Sequence, residues 1–440
     1  MLGSFNSSSS AHNPTQEQEP TAVLDLQFHQ IIAPPPATTT INTTSGLISG
    51  FGSSAVHFRQ LLINCAELIS QSDFPAAQRL ISILASISSP YGDSRERLVH
   101  QFVKALSLRL TRCGRLTIPP PCGGGGGGGG VIYQSEEALQ SCYLSLNQIT
   151  PFIRFSHLTA NQAILEAIEV GQPGIHIIDF DIMHGVQWPP LMQAIAERSN
   201  TSLFPPPLLR ITGTGHDLNI LQKTGDRLLK FAQSLGLRFH FHPLLLLNND
   251  PCSLSLHLPS AITLLPDEDL AVNCVLYLHQ LLKDDSRELR IFLHRIKELN
   301  PKVVTIAERE ANHNHPFFLQ RFMEALDHYT AVFDSLEATV PPISRERLAV
   351  EEIWFGREIM DIIAGEGESR KERHERFESW EIMLRSVGFN NVPLSPFALS
   401  QAKLLLRLHY PSEGYHLQII NNSFFLGWQN QPLFSVSSWH

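Results

Sequence analysis

The chain has 440 residues, a formal net charge of −9 and a sequence pI of about 6.1. This length allows two or three domain-sized units with a large hydrophobic core, and the acidic balance argues against a protein that binds nucleic acid mainly through a basic surface. No apolar run reaches the roughly 18–20 residues that a membrane helix needs, so we predict no membrane-spanning segment.

Residues 1–50 are rich in Ser, Thr, Pro, Gln and Asn. Such a segment buries too little apolar surface to offset the entropy lost on ordering, which predicts disorder. Its apolar stretch Ala22–Phe28 is interpreted either as a short docking peptide or as an incidental patch. The first residues have neither a basic start nor an apolar stretch, so no signal peptide is predicted.

Residues 51–170 carry the apolar periodicity of amphipathic helices, which predicts a helical cap subdomain. The predicted helices are residues 56–69, Asp73–Leu84 with Asp73 as the N-cap, Ser94–Leu110, a segment from Ser135 to a break at Pro151, and Leu158–Glu169.

A Pro- and Gly-rich stretch at 118–131 interrupts these helices and includes the glycine run Gly123–Gly130. A phosphate-binding loop would continue with Gly-Lys-Ser/Thr, whereas Val131-Ile132 follows here. We therefore predict a flexible linker.

From residue 171 to residue 440, short apolar runs alternate with helical segments, and a parallel sheet covered on both faces is predicted. Predicted strands are Ile175–Asp179, Leu208–Thr212, Leu237–His242, Leu270–Cys274, Val303–Ala307, Tyr329–Ser335 and Lys403–Leu408. Predicted helices are Leu191–Arg198, Leu218–Leu235, Arg287–Leu299 and Pro316–Leu326. The aromatic tail, Gly414–His440, predicts a closing hairpin at the sheet edge.

The first predicted strand runs into the turn Asp179–Gly185, the place where doubly wound folds bind nucleotide-type ligands. In a methyltransferase this turn has the sequence pattern Asp-x-Gly-x-Gly-x-Gly. Asp179 and Gly185 fit that pattern, but Asp181 and Met183 stand at the first two glycine positions. After the second strand, no acid that would hold a ribose appears before Asp217. Asp179 and Gly185 are thus weak candidates for a ligand site, a structural role for Asp179 is favoured, and no cofactor is predicted.

Acids and histidines also follow the strand at 303–307. Glu308-Arg309-Glu310 suits either acid–base chemistry or, as we favour, ion pairs that fix a loop. His313 and His315 lack a clear third ligand, and the six cysteines form no Cys-x-x-Cys pair, so no metal site is predicted. A Gly-x-Ser-x-Gly elbow is absent, which weakens a hydrolase hypothesis.

Two further patterns each have a structural interpretation. Leu278, Leu281 and Leu282 form a Leu-x-x-Leu-Leu sequence, which occurs in helices that dock into grooves but more often in ordinary core packing. The mixed charges of Arg370–Arg376 predict a solvated, salt-bridged helix face rather than a phosphate-binding strip.

Five ordered motifs over about Val56–His440 resemble the plant GRAS family of transcriptional regulators. They are the central Ile175-His176-Ile177-Ile178-Asp179, the flanking pair of leucine-rich regions (57–170 and about 215–300), Pro301 with His328-Tyr329 and Arg357-Glu358, Trp354–Ile359, and the terminal Ser437-Ser438-Trp439. Ile, His and Ser replace the family's Val, Phe and Ala in three of them. Within the family the chain looks most like the lateral suppressor branch, and it lacks an Asp-Glu-Leu-Leu-Ala motif.

The resemblance implies an α/β, Rossmann-like (methyltransferase-type) doubly wound sheet with an N-terminal α-helical cap. It also implies nuclear location, a role in side-shoot meristem initiation, and pairing with other GRAS chains, as homo- or heterodimers, or with zinc-finger transcription factors. We predict a non-catalytic scaffold that reaches DNA mainly through partners. His176 and Asp179 would hold the first turn, while Trp354, Arg357, Glu358 and Trp439 would lie in or support contact surfaces. The alternatives are an S-adenosylmethionine-dependent methyltransferase, a small-molecule sensor, and a direct sequence-specific DNA-binding factor.

Overall fold

A computed structural model describes residues 48–114, 136–200, 204–246 and 262–440. Residues 1–47 of the predicted disordered segment, including Ala22–Phe28, and the predicted linker at 118–131 lie outside the described residues.

The described residues form thirteen α-helices and nine strands. The helices are α1 Ile48–Ser70, α2 Phe74–Ser86, α3 Ser94–Gly114, α4 Glu136–Ile149, α5 Pro151–Ala167, α6 Trp188–Asn200, α7 Leu218–Ser234, α8 Arg287–Glu298, α9 Phe318–Thr339, α10 Arg345–Ala349, α11 Gly356–Ala364, α12 Phe377–Val387 and α13 Pro396–His409. The strands are β1 Gly174–Phe180, β2 Leu208–Gly215, β3 Arg238–Leu245, β4 Glu268–Val275, β5 Val303–Arg309, β6 Asn391–Val392, β7 Tyr415–Ile420, β8 Ser423–Trp428 and β9 Gln431–Trp439.

The strands form one sheet in the order β3-β2-β1-β4-β5-β9-β8-β7, with β6 paired to β9. Strands β1 to β5 are parallel, and β9 runs antiparallel to both β5 and β8. The chain steps outward from β1 to β3 and then returns to place β4 on the other side of β1. That reversal is the switch point of a doubly wound sheet, so the predicted fold class is confirmed.

Both faces of β1 are buried, as its continuous apolar run predicted. Ile175 and Ile177 pack with α6 and α7, while Ile178 and Phe180 pack on the opposite face with β4 and α8. Helices therefore cover both faces, and the carboxyl ends of β1, β4 and β5 share one edge of the sheet.

The predicted helical cap is present, and part of it comes from later in the chain. Helices α1 to α5 share the largest apolar core with residues of α9, α11 and α13. A buried ion pair reinforces this packing, since Arg97 on α3 bonds Glu351 at 2.9 Å, in a turn of π-helix at Val350–Phe355 just before α11. Within the described residues, every helix is too short or too polar to span a lipid bilayer.

Two predicted strands were wrong. Tyr329–Ser335 and Lys403–Leu408 are not strands but parts of α9 and α13. Short apolar runs have no decisive period, and α9 is buried around much of its circumference, which erases the helical stripe. The predicted break at Pro151 is confirmed, since α4 ends at Ile149 and α5 begins at Pro151. The helix predicted from Leu158 begins earlier, at Pro151, because a proline at the first turn has no amide that the helix would need.

Candidate functional site at the carboxyl edge of the sheet

The turn after β1 keeps the backbone of a glycine-rich loop while carrying side chains. Asp181 has φ 65°, Met183 has φ 48° and Gly185 has φ 64°. These are the three glycine positions of the methyltransferase pattern. A left-handed conformation costs roughly 1–2 kcal/mol for a residue with a Cβ, although Asp tolerates it better than most. The turn thus has the backbone shape of a glycine-rich loop, but side chains fill the space that glycines would leave open.

Neighbouring helices cover this turn closely. Met183 and Val186 pack against the core of the cap, and His184 Nε2 lies 3.0 Å from the Gln140 carbonyl oxygen on α4. A Cβ on Gly185 would lie 2.9 Å from Thr224 Cγ2 on α7. The first βα turn is therefore packed between the cap and α7.

Asp179 is bound on both oxygens by the protein itself. Its Oδ2 accepts from Trp188 Nε1 at 2.8 Å, and its Oδ1 accepts from Asn273 Nδ2 at 2.8 Å. Asn273 lies directly opposite Asp179 in β4 and accepts in turn from Thr305 on β5. The buried carboxylate therefore ties β1 to β4 and to the start of α6.

Burial raises the pKa of Asp179 to about 7, and the negative charge of Asp181 adds to this rise. The two hydrogen bonds to Asp179 act in the opposite direction. Burial raises the pKa of Tyr143, in the cap, and the negative charges of Asp179 and Asp181 raise it further. The folded protein therefore retains a proton on Asp179 between about pH 4 and 7 that the unfolded chain releases. The contribution of this group to stability accordingly falls as pH rises through that window and is constant above it.

The variant Asp179→Asn should remove this pH dependence. We expect the free energy of unfolding of the native chain, minus that of Asp179→Asn, to fall by about 2 kcal/mol between about pH 5 and pH 7. Denaturant unfolding at each pH measures both values. A difference that stays constant across this range would contradict the assignment.

His176 lies within the sheet, away from this edge. Its Nε2 is 2.8 Å from Thr212 Oγ1 and its Nδ1 is 3.0 Å from Arg210 Nη2, which also pairs with Glu268 at 2.6 Å. Burial, with help from the charge of Arg210, lowers the pKa of His176 to about 3. The ring therefore links β1 to β2 as a neutral group.

The acids after β5 fix neighbouring segments, which was the interpretation favoured from the sequence. Glu308 Oε1 accepts from the Leu278 amide at 2.7 Å, and Glu308 Oε2 lies 2.8 Å from His279 Nδ1. Glu310 accepts from the Phe377 amide at 3.0 Å, at the start of α12. Burial raises the pKa of Glu310 to about 7.

The segment Arg370–Arg376 is neither a helix nor a solvated face, so that prediction was wrong. It is an extended loop, because Asp361 accepts from the Lys371 and Glu372 amides at 2.8 and 2.7 Å. Its charged side chains pair mainly with distant parts of the chain, as Arg373 does with Asp284 and Arg376 with Glu324. The buried members are Arg370, Glu372, Arg373 and His374.

This loop places Glu372 and His374 against His279, which follows β4. His279 Nε2 and His374 Nε2 lie 3.3 and 3.5 Å from the same atom, Glu372 Oε2. Burial alone would lower the pKa of His279, but Glu308 and Glu372 raise it to about 10. Burial opposes ionisation of Glu372, yet His279 and Arg357 bring its pKa to about 2. These groups form a closed, strongly polar cluster.

His313, one of the two histidines considered for metal binding, lies at the side of this cluster. Its Nδ1 is 3.0 Å from His374 Nδ1, and burial lowers its pKa to about 3. His315 accepts from the Phe317 amide and is only partly buried. The imidazole of His328, also fully buried, has no hydrogen-bond partner among the described residues. Sequence reasoning thus found the neighbourhood but not the set of residues that meet there.

A second buried ion pair lies beside the cluster. Arg309 Nη2 donates to Glu358 Oε1 at 2.7 Å, and Tyr329 Oη donates to Glu358 Oε2 at 2.8 Å. The guanidinium lies 5.5 and 5.1 Å from the ring centroids of Phe355 and Phe434. Glu358, a candidate from the sequence, therefore joins α11 to β5 and α9.

The other predicted contact residues differ in accessibility. Leu278, Leu281 and Leu282 are buried in the core that also holds Phe292 of α8, so the structure places them where core packing predicts. The first two lie in a 3₁₀-helical turn at Leu278–Leu281. Leucines in this position are not available for docking in the folded chain.

The aromatic candidates are buried as well. Trp439 is fully buried, and Trp354 is nearly so, with its ring centroid 5.8 Å from that of Tyr143. Arg357 is the exception, since 48% of its side chain is exposed and its guanidinium lies 5.8 Å from the Trp354 ring centroid. Of these residues, Arg357 alone presents a large free surface.

Comparison with known proteins points to one family. A family model described as the GRAS domain family matches residues 58–440. The chain is 54% identical to Scarecrow-like protein 18 of Arabidopsis thaliana, over 87% of this chain and 91% of that protein. It is 48% identical to Protein MONOCULM 1 of Oryza sativa subsp. japonica, over 87% and 88%. A solved structure, that of SCL7 in Oryza sativa, aligns with a TM-score of 0.71 and 34% identity, over 87% of this chain and 99% of that one.

Proposed function

This chain belongs to the GRAS domain family of regulators of plant development, and we propose that it acts in the nucleus as a non-catalytic scaffold for transcription complexes. In this proposal the chain assembles with other GRAS chains or with zinc-finger transcription factors. The chain then reaches DNA mainly through these partners. The resemblance to the lateral suppressor branch supports a role in the initiation of side-shoot meristems.

The observation that carries the proposal is the filled turn after β1. Both oxygens of Asp179 are engaged by Trp188 and Asn273, and side chains stand where a methyltransferase has glycine. A methyl-donor cofactor would need close backbone approach at Asp181 and Met183. These features favour a structural role for the turn over a functional cofactor site.

The edge strand β7 supports protein binding. It pairs with β8 alone among the described strands, and its far side is an edge at which an extended segment can add. Ile419 and Ile420 are exposed there. A concavity of about 660 Å³ between α13 and β7 is lined by two basic residues, Lys403 and Arg407, and one acid, Glu413, among others. We propose that an extended apolar segment of a partner protein, with acidic residues, adds to β7.

A tethering experiment in plant cells tests this function. The chain fused to a heterologous DNA-binding domain should change transcription from a reporter that carries that domain's sites. Ile419→Asp should reduce the effect at least fivefold, because a carboxylate would be desolvated in the contact. Ile382→Asp, at an exposed position on α12, is the matched control and should leave it unchanged.

Two measurements on the purified full-length chain test the alternatives. Calorimetric titration with S-adenosylmethionine should show no binding, and micromolar binding that is lost in Asp179→Ala would instead establish an enzyme or a sensor. Gel-shift assays should show no sequence-selective DNA binding without a partner. Sequence-selective binding by the chain alone, falling steeply with salt, would establish a direct DNA-binding factor.

A further inference from the structure

The buried cluster after β4 and β5 has the composition and geometry of a metal centre. We propose that His279, Glu372 and His374 bind a zinc ion through His279 Nε2, Glu372 Oε2 and His374 Nε2. The three side chains are 4%, 10% and 1% exposed. Imidazole nitrogen and carboxylate oxygen are ordinary zinc ligands.

Two of the three distances among these atoms match a tetrahedral site. Zinc bonds to N and O of about 2.0–2.2 Å place neighbouring ligand atoms about 3.3–3.5 Å apart. Glu372 Oε2 lies 3.3 Å from His279 Nε2 and 3.5 Å from His374 Nε2. All three ligand atoms lie within 4.8 Å of one another. The two imidazole rings stack at 4.2 Å between centroids, and both Nε2 atoms lie beside the same carboxylate oxygen.

Each histidine is oriented by a bond from its other nitrogen, as zinc-binding histidines usually are. His279 Nδ1 donates to Glu308 Oε2 at 2.8 Å, which leaves the lone pair of Nε2 directed at the cluster. His374 Nδ1 lies 3.0 Å from His313 Nδ1 and can donate to it, with the same result. Glu308 and His313 are therefore positioning residues and not ligands.

Charge also favours a divalent cation. Glu308 and Glu372 bring two carboxylates into a buried space, where uncompensated charge is costly. Arg357, which lies 3.6 Å from Glu372 Oε1, and Arg309 supply positive charge toward Glu372, and Arg357 leaves Oε2 available. The alternative to a bound metal ion is a protonated His279 that lies between Glu308 and Glu372. A proton there leaves His374 Nε2, a fully buried atom, without a hydrogen-bond partner among the described residues.

Bound zinc would clamp the loop before α12 to the end of β4. The ligands come from segments far apart in sequence, so the ion would add a cross-link to the hydrogen bonds that already hold the loop at Asp361 and His313. Because the three ligands are buried, the role we assign to the ion is structural rather than catalytic. Amide hydrogen exchange in residues 370–376 should slow when zinc binds.

The test uses the tag-free, full-length chain freed of metal with a chelator, with Co²⁺ and Zn²⁺ as probes. We expect one Co²⁺ per chain, with the visible bands of a four- or five-coordinate ion and no thiolate charge-transfer band. Zn²⁺ should displace Co²⁺ and raise the unfolding temperature. His374→Gln should weaken binding more than tenfold. Glu308→Gln should weaken it about 10–100-fold.

His294→Gln is the matched control, because His294 is an exposed histidine on α8 and its loss should change nothing. If His374→Gln fails to fold, the native chain still decides the question. A folded native chain that takes up no Co²⁺ would overturn the proposal in favour of the proton-bridged cluster. A thiolate band, or uptake that is the same in a folded His374→Gln, would also overturn it.

Discussion

Replacing Arg309 by methionine is expected to lower the free energy of unfolding by about 3–5 kcal/mol, because it leaves Glu358 as an unpaired buried carboxylate. Arg309 and Glu358 are 1% and 3% exposed and lie 2.7 Å apart. Burial already raises the pKa of Glu358, and the charge of Arg309 opposes that rise. Without the guanidinium the carboxyl would take up a proton or draw water into the core. Denaturant unfolding followed by two probes measures the loss.

The double variant Arg309→Met/Glu358→Leu separates a charge effect from a packing effect. Removing both charges should recover at least half of the stability lost in Arg309→Met, since an apolar pair of similar size avoids the desolvation cost. A double variant as unstable as the sum of the two single variants would mean that volume and aromatic contact dominate. Phe355 and Phe434, which face the guanidinium, would then be the important partners.

Trp439→Ala is expected to cost about 3–5 kcal/mol, as for other fully buried tryptophans. Trp439 lies in β9 opposite Val304 of β5, packs against Phe377, and donates from Nε1 to Ser437 Oγ at 2.8 Å. Trp439→Phe should cost less, because the ring volume is largely kept and mainly one hydrogen bond is lost. Thermal or denaturant unfolding gives both values.

This experiment also decides between two roles for the terminal motif. If Trp439 anchored a partner, Trp439→Ala would leave the isolated chain stable and weaken only binding. A variant as stable as the exposed control Ile382→Ala would support that role. The burial of Trp439 leads us to expect the opposite, and partner binding should fail only because the sheet is disturbed.

The parallel half of the fold follows from local sequence. Strands such as Ile175–Asp179 and Val303–Ala307 lie within a few residues of the observed bounds, because buried parallel strands are continuous apolar runs between turn signals. The hairpin of β7 and β8 was also predictable, since Asn421 and Asn422 readily adopt the left-handed turn seen there. The apolar run at Tyr329–Ser335 was wrongly predicted to be a strand, because a helix buried on most sides has no apolar stripe in its sequence.

The buried cluster could not be assembled from sequence. His279 is far in the chain from Glu372 and His374, and no spacing rule links them. In the sequence, His313 stands out because it follows a strand, and the mixed charges of 370–376 are typical of a helix face. One signal was available: Gly365 and Gly367 stop the preceding helix and argue for a loop.

The position of β9 has a consequence for how the protein reaches its native state. β9 lies between β5 and β8, so the sheet stays divided until this strand inserts. During that interval β5 and β8 each offer an unpaired apolar edge. Pairing between residues as distant as Val304 and Trp439 is slow, since a long loop must close first. We therefore expect self-association to compete with insertion of β9 during folding, at the stage when chaperones can bind the exposed edges.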